Sequence, residues 1–272
     1  MAINHIIVLI KQVPDTNEIK IDPQTGTLIR QGIPSIMNPD DKHALEAALV
    51  MKEQTNCKVT VITMGPPQAE SILIEALGMG ADKAVHLSDR LFAGADTLAT
   101  SYTLMAAIKK LGAVDVVIAG REAIDGDTAQ VGPQIAEQLG IPQVTYVKKI
   151  EVKGDTLKIQ RALEDGYYEM EVKTPVLLTA IKDLNVPRYP NMSNIFDTYK
   201  NKETAQGNDK SIVLWGAADL NVEEARLGLK GSPTQVFKSF SPTIKRSGEL
   251  LGGTAKEAAG QLKARLKERH LI

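Results

Sequence analysis

Residues 114–139, VDVVIAGREAIDGDTAQVGPQIAEQL, decide the fold. The apolar run 114–119 reads as a buried strand that enters Gly120, and a helix is expected from about Thr128 to Leu139. Asp127 or Thr128 is placed to cap that helix, leaving several backbone N–H groups pointing outward. A helix N-terminus at the carboxyl end of a strand suits a phosphate or pyrophosphate. Gly120 and Gly126 let the backbone approach a ligand with no Cβ in the way. The same residues also fit an ordinary strand-to-helix turn with a good cap, and neither GxGxxG nor GxxxxGK[ST] occurs here.

Upstream, the strand–helix alternation repeats. Strands are expected at 6–10, 58–64 (KVTVITM) and 84–87, and helices at 39–54, about 68–79 and 96–110. In 39–54 (PDDKHALEAALVMKEQ), Ala44, Leu45, Ala48 and Leu49 share one helical face, and Asp40 and Asp41 suit the positive first turn. Strands and helices in this rhythm predict an α/β fold, a doubly wound and mostly parallel sheet. Ligands of such sheets sit beyond the carboxyl ends of the strands, which singles out 9–15, 64–68 and 119–130.

Downstream the pattern changes. Residues 143–180 alternate at period two, with turn signals at Gly154-Asp155 and Asp165-Gly166, and predict an antiparallel excursion that ends in a buried strand at 176–180. The chain turns loop-like from about Asp183, 200–211 read as a polar linker, and 216–248 are rich in Gly, Pro and Ser. An amphipathic helix is expected at 254–269, through Ala255, Ala258, Ala259, Leu262 and Leu266. Two regions are therefore expected: a nucleotide-binding domain over 1–210, and a C-terminal arm over 211–272 laid on its own domain or on a partner chain. A tail with so few apolar anchors is a poor candidate for a core of its own.

Composition narrows the function. Of 272 residues, 32 are Lys or Arg and 33 Asp or Glu, a net charge of −1 that supplies no basic field for nucleic acid. The single cysteine, Cys57, excludes an internal disulfide framework, a zinc ribbon and a cysteine-ligated iron–sulfur cluster. It is expected to be a small buried or edge residue. The four histidines are scattered without metal-ligand spacing, and His43 is expected to be solvated on a helix flank. The run 6–10 is too short for a signal-peptide core or a membrane span, so a soluble, cytoplasmic chain is expected.

Several blocks together carry a family likeness. GREAIDGDTAQVGPQIAEQLGIP (120–142) resembles the nucleotide-binding segment of the small (beta) subunit of electron transfer flavoproteins. VLIKQVPDT (8–16), MNPDDKHALEAAL (37–49), TMGPPQAESILIEALGMGADKAVHL (63–87) and DLNVPRYPNMSNI (183–195) stand in that family's order, so the likeness covers nearly the whole chain. It implies a Rossmann-like fold and a heterodimer with a large (alpha) subunit that carries its own FAD. Carried over by position, an adenine nucleotide lies against Leu9, Asn38, Pro39, Asp40, Asp41 and Met64. It also lies against Gly120, Arg121, Glu122, Ala123, Ile124, Asp125, Gly126, Asp127, Thr128, Ala129, Gln130 and Val131.

Three segments are similar to the electron-bifurcating branch: AGADTLATS (93–101), DGD (125–127) and GLKGSPT (228–234). In that branch the small subunit binds FAD where the housekeeping branch binds AMP, and Asp96 and Thr97 join the site. The implied activity is acceptance of hydride from NADH. The electrons then divide between ferredoxin or flavodoxin and the large subunit's FAD, which serves an acyl-CoA dehydrogenase-type partner. Docking of that partner is implied for the loop around Leu184, Pro187, Arg188 and Tyr189, where Arg188 also fits a structural turn paired with a carboxylate. No protein nucleophile, general base or metal ligand is expected, since the flavin carries the chemistry. Two alternatives stay open: an AMP-binding subunit without NADH activity, and a stand-alone adenine-nucleotide-binding or hydrolysing protein.

Overall fold

The computed structural model describes residues 3–15, 34–205, 211–235, 237 and 248–272. Residues 206–210 of the expected linker, and 236 and 238–247 of the Gly/Pro/Ser-rich stretch, lie outside the described residues. Two compact units form, 1–236 and 237–272.

The first unit begins with β1 (His5–Leu9), a short antiparallel pair β2 (Gln12–Pro14) and β3 (Ser35–Met37), then α1 (Pro39–Thr55) and β4 (Lys58–Met64). It continues with α2 (Glu70–Met79), β5 (Lys83–Leu87), α3 (Thr97–Leu111), β6 (Val116–Gly120) and α4 (Val131–Leu139). The excursion follows as β7 (Gln143–Lys153), β8 (Thr156–Leu163) and β9 (Gly166–Lys173), before β10 (Val176–Ala180), α5 (Met192–Thr204) and β11 (Ile212–Trp215).

The main sheet has nine strands in the order β11-β5-β4-β1-β6-β10-β7-β8-β9. It is parallel from β11 to β7 and antiparallel from β7 to β9. The doubly wound α/β architecture and the antiparallel excursion are as the sequence predicts. Alternate residues of β1 point into two cores: Ile6 and Val8 pack with α1 and α2, while Ile7 and Leu9 pack with α3 and α4. The chain builds outward from β1 through β4 to β5, then returns to place β6 on the other side of β1. The switch point therefore lies between β1 and β6, and a ligand crevice is expected at their carboxyl ends.

Local chemistry explains the helix ends. Pro39 occupies the first turn of α1, where a missing N–H costs nothing, and Asn56 ends the helix in the left-handed region. Asp96 caps α3, as expected, and Lys109 and Lys110 lie in its last turn. The expected cap of α4 is corrected: the helix starts at Val131, and Gln130 before it makes no side-chain cap bond. Asp127 and Ala129 sit at positive φ, 46° and 51°, so the preceding turn runs three residues longer than the sequence suggests.

The loop-like reading after Asp183 is also corrected, because α5 forms there, capped by Asn191. It packs on α2, where a Cβ on Gly78 would stand 2.8 Å from Ile195 Cγ1. In the second unit, α6 (Ala255–Glu268) carries a capping box of Thr254 and Glu257, and none of its residues is buried.

Candidate nucleotide site

A cleft of about 1600 Å³ opens at the carboxyl ends of β1, β4, β5 and β6. Pockets for drug-sized ligands run to about 1,000 Å³, so there is room for an extended molecule. Of the residues expected to bind a cofactor, Leu9, Asp41, Met64, Asp96, Thr97, Gly120, Arg121, Glu122, Ala123, Gly126, Thr128, Ala129, Gln130 and Val131 line it. Asn38, Pro39, Asp40, Ile124, Asp125 and Asp127 do not.

Asn38 is wholly buried beneath the loop after β6. Its Nδ2 donates to the Glu122 carbonyl at 2.8 Å, and its Oδ1 accepts from the Ile124 N–H at 3.1 Å. Its side chain is thereby spent on holding that loop, which is why it does not cap α1. Lys11 Nζ grips the Asp125 carboxylate at 2.6 Å. Arg121 lies 3.6 Å from Asp40 and pairs with Glu122. Burial pushes the Asp40 carboxyl up, opposed by the nearby Arg121 charge.

Gly120 proves to be glycine for an internal reason. A Cβ there would lie 2.3 Å from Asp41 Oδ1, so the space is filled by a protein carboxylate rather than left for a ligand. Gly126 has nothing within 4 Å of its notional Cβ, consistent with an open approach.

Helices α3 and α4 begin at the same cleft. Asp96 Oδ1 accepts from the Leu98 and Ala99 N–H groups at 3.0 Å each, and Oδ2 accepts from the Thr234 N–H and hydroxyl at 3.1 and 2.6 Å. Ser232 Oγ accepts from the Asp96 N–H at 2.8 Å. The segments 93–101 and 228–234, far apart in sequence, are thus fastened together, and Gly228 fits at φ 51° where a Cβ would meet the Leu91 carbonyl at 2.2 Å. Burial alone would raise the Asp96 carboxyl, but the donors from Thr234, Ala99 and Leu98 together hold it below its ordinary value.

The two helix starts are bridged: Thr97 Oγ1 donates to Gln130 Oε1 at 2.9 Å and accepts from Gln134 Nε2 at 3.2 Å. Gln134 lines the cleft and was not among the expected residues. Its place one turn into the helix after Gln130 was the available signal. At α4 the first-turn N–H groups of Val131 and Gly132 receive no side-chain cap among the described residues, and Gly132 lets the helix sit on β10, with a Cβ only 2.8 Å from Thr179 Cγ2.

The loop expected to dock a partner divides into anchor and exposed parts. Arg188 forms a fork on Glu46, with Nε and Nη2 each at 2.9 Å, and Nη1 reaches Glu53 at 2.6 Å. These bonds make Arg188 an anchor, and its hydrogen bond, with its charge behind it, holds the Glu53 carboxyl down. Leu184 is half-buried against the core, whereas Val186 and Tyr189 are 89% and 94% exposed. His43 is corrected from solvated to bonded: its Nδ1 lies 3.0 Å from the Asn185 carbonyl and 3.1 Å from its Oδ1. Cys57 is buried, as expected. Among the described residues, no cluster of His, Cys, Asp and Glu fits a metal ion, and no helix is long and apolar enough to cross a membrane.

Residues 25–220 match the electron transfer flavoprotein domain family. The chain is 61% identical over 268 residues to an electron transfer flavoprotein subunit beta of Clostridium acetobutylicum, covering 98% of this chain and 100% of the relative. It is 54% identical over 269 residues to the caffeyl-CoA reductase-Etf complex subunit CarD of Acetobacterium woodii, covering 98% and 99%. It is 47% identical over 275 residues to the acryloyl-CoA reductase electron transfer subunit gamma of Anaerotignum propionicum, again covering 98% and 99%. With its doubly wound sheet and its cleft at the switch point, the chain belongs to the electron transfer flavoprotein family, as a small (beta) subunit.

Proposed function

We propose that this subunit holds FAD in the cleft between the starts of α3 and α4, and that it works in electron bifurcation beside a large subunit carrying a second FAD. The observation that carries the reading is the joint at the cleft rim. Two of the three segments resembling the bifurcating branch, 93–101 and 228–234, meet there through the Asp96–Thr234 and Asp96–Ser232 bonds. The cleft volume of about 1600 Å³ leaves room for a dinucleotide.

The residues present fit such a group. The uncapped N–H groups of Val131 and Gly132 suit a diphosphate, the positive end of α4 adding to them. Leu9, Ile62 and Met64 give an apolar wall, and the Gln130 and Gln134 side chains offer polar contacts. Bound there, FAD would supply acceptance of a hydride from NADH and release of its two electrons singly, one toward ferredoxin or flavodoxin and one toward the large subunit's FAD. The chain's own work is to orient the cofactor: the Lys11–Asp125 pair and the Asn38 bonds fix the loop after β6, and the Asp96 bonds fix the opposite rim.

An acyl-CoA dehydrogenase-type partner is supported by the names of the two relatives from CoA-reductase systems. The loop at Val186 and Tyr189 is the proposed contact, since an aromatic held out by an anchored arginine makes a good transient anchor. Helix α6 is proposed to lie on the large subunit, its Leu262 being half-exposed with no buried residue among those described in its own unit. Anaerobic addition of NADH to the purified heterodimer tests the reading. Bleaching of flavin absorbance, lost in a variant whose cleft is blocked, is the expected result; flavin that NADH leaves oxidised would contradict it.

A further inference from the structure

A second concavity, of about 400 Å³, adjoins the cleft at its rim, between the start of α3 and residues 225–233. Leu98, Tyr102, Arg226, Lys230, Ser232 and Pro233 contribute to its walls. Leu98 and Pro233 also line the cleft, so the two spaces meet there. The rim segment is folded so that two cations face the smaller space. Gly231 packs on the backbone of Arg226, where a Cβ would stand 2.0 Å from the Arg226 carbonyl carbon, and its N–H donates to the Leu227 carbonyl at 2.9 Å.

The Arg226 guanidinium carbon lies 3.9 Å from the centre of the Tyr102 ring, and the Tyr102 hydroxyl accepts from the Glu223 N–H at 3.0 Å. Stacking orients the guanidinium and leaves its N–H groups unspent. Among the described residues neither Arg226 nor Lys230 has an ion-pair partner. Glu223 and Glu224 precede them in the chain, yet no carboxylate lines the concavity.

We propose that this concavity is the subsite for the adenosine diphosphate half of the nicotinamide dinucleotide donor, with Arg226 and Lys230 on its phosphates. This rests on the FAD reading above and adds to it the place where the donor is held. Guanidinium and ammonium groups only donate, so the occupant must be anionic and rich in acceptors, as a diphosphate is. Size decides which part of the donor it takes. Ligand pockets begin at about 300 Å³, so a space of about 400 Å³ suits half of a dinucleotide and not the whole. The hydride-bearing half must reach a flavin inside the cleft, which leaves the adenosine half outside it. The junction at Leu98 and Pro233 connects the two, and the Asp96–Ser232 bond fixes that junction.

The test is calorimetric titration of ADP into the purified heterodimer with its flavins oxidised, with FAD and AMP content measured on the same sample. A cleft filled by FAD leaves ADP only the smaller space. Wild-type affinity is expected to fall as salt rises from about 0.05 M to about 0.2 M. Arg226→Gln should weaken ADP binding about tenfold and Lys230→Gln about threefold. The NADH concentration giving half-maximal bleaching should rise by the same factors, while the rate at saturating NADH and bleaching by dithionite stay at wild-type values. A merely structural role would instead lower the saturating rate or FAD retention. Both side chains are exposed; should Arg226→Gln not fold, Lys230→Gln alone decides. ADP that fails to bind the FAD-filled heterodimer, or binds it equally in the wild type and both variants, overturns the proposal. If only ferredoxin reduction falls in the variants, the cations serve an acidic protein and the proposal is likewise overturned. A heterodimer with AMP in the cleft that still binds ADP through Arg226 and Lys230 would sink the FAD reading and support the subsite.

Discussion

Helices α3 and α4 begin side by side at one cleft and are finished differently. At α3 the Asp96 carboxylate accepts four protein donors, two from its own helix and two from Thr234. At α4, among the described residues, no side chain caps the first turn, and the backbone before it passes through two positive-φ residues, Asp127 and Ala129. The same local device, a helix start at the end of a parallel strand, is spent on internal fastening in one case and left available in the other. A helix N-terminus is a ligand site only where the protein has not already satisfied it.

The sharpest way to break this comparison is to finish α4 as α3 is finished. In Gln130→Asp a carboxylate would compete for the N–H groups of Val131 and Gly132 and repel a bound diphosphate. Cofactor affinity should fall at least about tenfold, measured by flavin release, while unfolding free energy stays within about 0.5 kcal/mol. Undoing the cap of α3 is the converse. Asp96→Ala should cost about 2 kcal/mol in urea unfolding, from a lost cap and a freed Thr234.

Acid should loosen α3 in the same direction. The Asp96 carboxyl is held below its ordinary value in the folded protein. Its contribution is thus complete above about pH 4, the unfolded value, and is lost as pH falls through the lower folded value. Faster exchange of the Thr234 amide on acidification would report it. Asp41 has the opposite sign: raised to about 7 on folding, it makes its contribution to global stability decline as pH rises from about 4 to 7. The smallest effect is expected for Thr97→Val, which removes the hydroxyl bridging Gln130 and Gln134. It should cost about 0.5–1.5 kcal/mol in the same unfolding assay.

What the sequence disclosed follows from which signals are local. Strand β4 and helix α1 were legible because KVTVITM is dense in β-branched residues and because Ala44, Leu45, Ala48 and Leu49 recur at helical spacing. Helix α5 was obscured: Met192, Phe196 and Tyr199 face outward, and the helix is held chiefly by its seat on α2 at Gly78. Strands β2 and β3 are only three residues each, too short for periodicity, and pair across 20 intervening positions.

At the site, the region was readable but the roles were not. Gly120 resembled a glycine that admits a ligand, and only the fold shows Asp41, 79 positions away, filling that space. Asn38 is expected among the nucleotide contacts and is a buried support for the loop after β6. Such long-range pairings of a side chain with a backbone N–H leave no periodic trace in a sequence.

This subunit's own cleft is proposed to hold FAD. Its most direct measurement is the adenine-cofactor content of the heterodimer, released by denaturation and quantified by chromatography. Two FAD per heterodimer and no AMP are expected, with one FAD lost selectively in Gln130→Asp. One FAD together with one AMP would contradict it.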